Sequence, residues 1–154
     1  MVLWVGEPRY RNLPWLIKKH DAFERWVPKK DRNGRQVTET VTVKGKKVRK
    51  KVWERISGEI KVFHAQRSVA LPYRVVIYDL RKNVVALDFS GEVLSDSRSS
   101  YYEYTGDPRG EKPPPVRYKG RANAPALLSE KVLTNRALAE LPGQVVTTTL
   151  KRVE

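Results

Sequence analysis

The chain has 154 residues, with 31 Lys and Arg against 17 Asp and Glu and no cysteine. One globular domain is the expectation at this length, and 40% hydrophobic residues supply a modest core, which excludes wholesale disorder. The lack of cysteine excludes disulfides, thiolate metal sites and cysteine nucleophiles, and no apolar run approaches the roughly 20 residues of a membrane-spanning helix.

Residues 1–34 form an aromatic and proline-rich segment carrying Trp4, Tyr10, Trp15, Phe23 and Trp26, with Pro8, Pro14 and Pro28. Its start, Met1-Val2-Leu3-Trp4, has neither the positive charge nor the long apolar stretch of a signal peptide. The expected location is therefore cytoplasmic if Met1 is the natural start. Leu16 to Trp26 reads either as a short helix after Pro14 or as an extended segment laying aromatics on a sheet.

Residues 35–94 read as a β-meander. Val37, Val41 and Val43 share one parity and Thr38, Thr40 and Thr42 the other, which is the pattern of a half-buried strand. Gly45 accepts the positive φ of a tight hairpin turn, and the chain returns through Val48, Val52 and Ile56. Asp31 to Arg35, with Asn33-Gly34 inside it, is a turn. Three further strands are expected at Gly58–Ser68, Leu71–Leu80 and Asn83–Ser90. The middle one is apolar on both parities and so belongs at the centre of the sheet.

Residues 95–124 read as a Tyr- and Pro-rich connector, with Tyr101, Tyr102, Tyr104, Gly106 to Gly110 and Pro113-Pro114-Pro115. Residues 125–154 read as a helical segment in which Leu127, Leu128, Val132, Leu138 and Leu141 fall near helical spacing. Pro142-Gly143 should kink it or split it in two. The fold class is thus α+β: an antiparallel meander of about five strands with a C-terminal amphipathic helix packed on one face.

Charge is concentrated. From Lys29 to Arg55 there are 11 basic residues against 3 acidic ones, leaving +8 of the net +14. Such a field attracts polyanions, whereas a bland reading is a solvated edge that lysines keep from pairing with other sheets. The candidate binding residues are Lys44, Lys46, Lys47, Arg49, Lys50, Lys51 and Trp53. Tyr101, Tyr102, Tyr104 and Arg109 make a second candidate interface, since tyrosine offers a large contact area with a polar tip.

Signs of catalysis are few. His20 and His64 lack the spacing of a metal pair, Ser95 to Ser100 lack a nucleophile elbow, and residues 106–112 lack the Gly-Lys-Ser/Thr end of a phosphate loop. Asp79 reads as a turn-capping residue. No catalytic, cofactor-binding or metal-binding residues are expected, and no cofactor.

The strand Tyr73 to Asp79, the hairpin after it, the Phe89-Ser90-Gly91 turn, the Tyr104 to Arg109 loop and the closing amphipathic helix carry a resemblance over residues 37–152. They resemble the β-rich accessory domain of bacterial cell-envelope repeat lipoproteins and relatives of curli-secretion components. The resemblance implies a noncatalytic assembly module in the cell envelope, with no carried-over active site. Two functions follow as expectations. The first is a noncatalytic interaction or structural subunit of a larger complex, docking on an acidic protein or anionic envelope surface. The second is nucleic-acid binding, with the hairpin cations on phosphates and Trp53 stacked on a base.

Overall fold

The computed structural model describes residues 1–153. It is an antiparallel sheet with one C-terminal helix, an α+β meander. Among the described residues the strands are β1 (Val2–Val5), β2 (Arg9–Pro28), β3 (Thr38–Val43), β4 (Lys46–Lys51), β5 (Trp53–Asp79) and β6 (Val84–Gly106), followed by α1 (Glu130–Val153). β5 pairs with β1, β2 and β6, while β3 and β4 form a separate two-stranded ribbon. The segment from Leu16 to Trp26 takes the extended alternative. Toward the end of β2 the half-buried side chains Phe23, Arg25 and Val27 alternate with exposed ones, as a strand requires.

Contacts divide the chain into two compact units: residues 1–16, 64–99 and 125 onward, and residues 17–63 and 100–124. In the first, Val69, Leu71, Tyr73 and Val75 of β5 and Phe89 and Val93 of β6 face Leu133, Ala137, Leu141 and Val145 of α1. These helix positions recur every four residues, so they form one stripe along the cylinder. The Leu138 register expected from the sequence is corrected here. Leu138 lies one position off that stripe and is 44% exposed, whereas Leu133 is fully buried. α1 is also one continuous helix through Pro142, because Pro142 sits on the solvent side, where water can satisfy the carbonyl its ring leaves unbonded.

Two strands expected at Gly58–Ser68 and Leu71–Leu80 are one, β5. The gap expected at residues 69–70 is closed, and Pro72 lies inside the strand, its carbonyl accepting from Gly6 N at 2.9 Å. The proline's missing donor faces Gly6, between the end of β1 and the start of β2, so a single ladder bond is forgone there and β5 continues. β1 runs antiparallel to β5 from Val2 opposite Val76 to Val5 opposite Tyr73.

The expected connector is shorter than 95–124, since β6 continues through Tyr101, Tyr102 and Tyr104 to Gly106. Ser97 and Ser99 are structural clips: Ser97 Oγ accepts from Leu128 N at 3.1 Å and Ser99 Oγ donates to the Pro125 carbonyl at 2.7 Å. The second unit has a smaller core of Ile60, Val62 and Tyr102, with Phe23, Tyr104 and Val116 packed on it. Phe23 and Tyr104 stack at 6.3 Å over Gly58, where any Cβ would meet the Tyr104 hydroxyl at 2.5 Å.

Candidate functional site

β3 and β4 pair from Thr38 opposite Lys51 to Val43 opposite Lys46. Lys44 and Gly45 close the turn with φ of 49° and 75°, the left-handed pair that a two-residue hairpin needs to match strand twist. Asn or Gly is preferred at the first of these positions, so a lysine there places charge at the ribbon's tip against local backbone preference. Register then sorts the side chains. One face carries Thr38, Thr40 and Thr42 opposite Lys51, Arg49 and Lys47. The other carries Glu39, Val41 and Val43 opposite Lys50, Val48 and Lys46. The first face therefore holds three cations and three hydroxyls with no carboxylate, its cations about 6.7 Å apart along the strand.

Every residue of β4 is exposed. Among the described residues, none of the six cations from Lys44 to Lys51 makes an ion pair, and neither do Lys29, Lys30, Arg32 and Arg35 beside the ribbon. The backbone around them is well tied. Lys29 N donates to Val52 O at 2.9 Å, Val52 N to Val37 O at 3.0 Å and Val37 N to Lys29 O at 2.8 Å. Asp31, in the turn before the ribbon, is engaged by that turn, with Oδ1 accepting from Asn33 N and Arg35 N at 2.8 and 2.9 Å.

At the ribbon's base the cross-strand pairs fix a face. His20 lies 3.0 Å from Glu59, and Glu24 pairs with Arg55, so even-numbered residues of β2 share a side with odd-numbered residues of β5. Alternation continues that side to Trp26 and Trp53, which are 65% and 51% exposed. Sequence reading identified Trp53 and missed Trp26. Counting back across the pairing would have found it, but the pairing itself is not visible in the sequence.

The second candidate interface is placed differently. Tyr101 and Tyr102 are buried, Tyr101 stacking on Phe63 at 4.7 Å. Burial pushes the Tyr102 hydroxyl's pKa up, and the Glu111 charge at its hydrogen bond adds to this. Tyr104 donates to the Asp107 carbonyl. Arg109 is bidentate on Asp107, through Nε at 2.9 Å and Nη2 at 2.5 Å, and reaches Glu54 with Nη1 at 2.5 Å. The Arg109 side-chain and backbone donors lower the Asp107 carboxyl to about 2. These four residues are occupied within their own unit. Residues 108–110 form a one-turn 3-10 helix capped by Asp107, not the start of a long helix behind a phosphate loop.

His20, hydrogen-bonded to Glu59, lowers that carboxyl, helped by Lys61. Asp79 caps its turn through Arg81 N at 2.9 Å, and Asp88 is bidentate with Arg74 at 2.9 and 2.6 Å. No group of three or more metal-ligating side chains occurs among the described residues, and no helix there is long and apolar enough to cross a membrane. No family model, curated protein or solved structure matches the chain.

Proposed function

We propose that this chain is a noncatalytic interaction subunit that docks on an acidic surface of a larger assembly through the β3–β4 ribbon. One observation carries the reading: among the described residues the six cations from Lys44 to Lys51 stand without ion-pair partners on an exposed turn and strand. Unpaired like charges repel along a ribbon, so a complementary surface that removes this repulsion gains affinity and speed of encounter. Docking rests on the ribbon alone, since Tyr101, Tyr102 and Arg109 are engaged internally. The resemblance of residues 37–152 to an envelope accessory domain is in keeping with this role and points to an anionic envelope surface as one setting.

Nucleic-acid binding is the second reading, favoured by Trp26 and Trp53 exposed on one face at the ribbon's base. Exposed aromatics beside a cationic ribbon suit stacking on unpaired bases. The test is a titration of the chain with polyglutamate and with single-stranded DNA and RNA near physiological salt. Under the lead reading, replacing Lys46, Lys47, Lys50 and Lys51 with Ser abolishes polyglutamate binding while Trp53→Ala leaves it unchanged. Submicromolar nucleic-acid binding lost in both variants makes the second reading the function. Polyglutamate binding that survives the four-lysine change overturns the lead.

A further inference from the structure

The β5–β6 hairpin of the first unit ends unlike the β3–β4 ribbon. Its turn residue Leu80 is 88% exposed, and Tyr78, Val84 and Val85 beside it are also exposed. Turns that face water are built from Gly, Asn, Asp and Ser, so a leucine at the tip with two valines behind it is an apolar cap lacking a cover. The cap is rigidly presented. Asp79 Oδ1 accepts from Arg81 N and Lys82 N, and Asn83 takes the left-handed φ of 53° that closes the turn.

Charge selects the cover. Arg81 and Lys82 follow Leu80 in the turn with no ion pair among the described residues, and Asp79, the one acid from Tyr78 to Leu87, is taken by the turn N–H groups. The last turn of α1 lies beside the same hairpin, with the Arg152 guanidinium 5.0 Å over the Phe89 ring and Lys151 exposed next to it. Leu80, Arg81 and Lys82 share the turn, with Tyr78, Val84 and Val85 exposed just behind it, and apolar and cationic side chains at one hairpin end suit an anionic bilayer surface, where acyl edge and phosphates adjoin. A protein pocket would need acids placed against these cations as well as an apolar cleft. The bilayer supplies both layers at once.

We propose that this hairpin end docks on an anionic membrane surface, with Leu80, Val84 and Val85 entering the headgroup region and Arg81 and Lys82 on lipid phosphates. The inference is independent of the β3–β4 ribbon and is tested separately from it. Because the chain has no cysteine, Leu80→Cys and Lys47→Cys each give a single site for a polarity-sensitive dye. With vesicles containing phosphatidylglycerol the dye at position 80 shifts to the blue, the dye at 47 does not, and phosphatidylcholine vesicles alone shift neither. Combining Leu80→Ser with Val84→Ser weakens vesicle partitioning of the unlabelled chain by about tenfold or more without lowering its melting temperature. A shift at 47 but not at 80, no shift at either site, or partitioning unchanged in the double variant overturns the proposal.

Discussion

Cations in the second unit are used in two ways. Around Arg109 several charged groups are paired: Asp107 and Glu54 hold Arg109, Glu111 holds Lys119 at 2.8 Å, Glu24 holds Arg55 and Glu59 contacts both Lys61 and His20. In the β3–β4 ribbon the cations are as numerous and, among the described residues, unpaired, with Glu39 the sole acid in either strand. Basicity is common to both regions, so it cannot distinguish a structural charge from a binding one. Pairing does. A guanidinium spent on two carboxylates stabilises its own fold, whereas six ammonium and guanidinium groups without partners stabilise something only when it arrives.

The largest expected effect strikes the ribbon. Replacing Lys46, Lys47, Lys50 and Lys51 with Ser should lower polyanion affinity by about a hundredfold or more and, if the ligand is single-stranded nucleic acid, reduce the slope of log affinity against log salt by about 3. The melting temperature of that variant should not fall, which a thermal scan checks directly. Leu133→Ala comes next, with an expected loss of about 2–4 kcal/mol in denaturant unfolding, while Leu138→Ala stays within about 0.5 kcal/mol. That pair separates the buried stripe of α1 from its exposed neighbour.

Arg109→Ala should lower the melting temperature without changing polyanion affinity, the reverse of the lysine variant. Acid probes the same cluster. The Asp107 carboxyl titrates at about 2, below its ordinary 3.8, so its contribution to stability is present above pH 4 and fades as pH falls toward 2. Asp107→Asn should flatten that part of the melting-temperature profile. The smallest effect is at the turn, where Lys44→Asn should stabilise the ribbon by under about 1 kcal/mol, because Asn tolerates the left-handed conformation better, and should weaken binding slightly.

Local chemistry made the ribbon legible: alternating Val and Thr, a glycine in the turn and lysines on the return strand specify a hairpin without tertiary help. The sheet with a C-terminal helix was legible for the same reason. What escaped depends on partners distant in sequence. Leu133 and Leu138 are equally apolar, and only the sheet below decides which one faces it. Val69 and Ala70 fall between two expected strands, and only pairing with the neighbouring strands shows that β5 runs through them. Tyr101, Tyr102 and Tyr104 resembled an interface because tyrosine suits surfaces and small cores alike. Trp26 became part of the site only through the His20–Glu59 and Glu24–Arg55 pairs.

The most direct test of the central claim is a paired titration of the unmodified chain, the four-lysine variant and Arg109→Ala with polyglutamate near physiological salt, alongside their melting curves. The account predicts that binding is lost only in the lysine variant and that melting temperature falls only in Arg109→Ala. Equal binding by all three chains, or unfolding of the lysine variant, would contradict it.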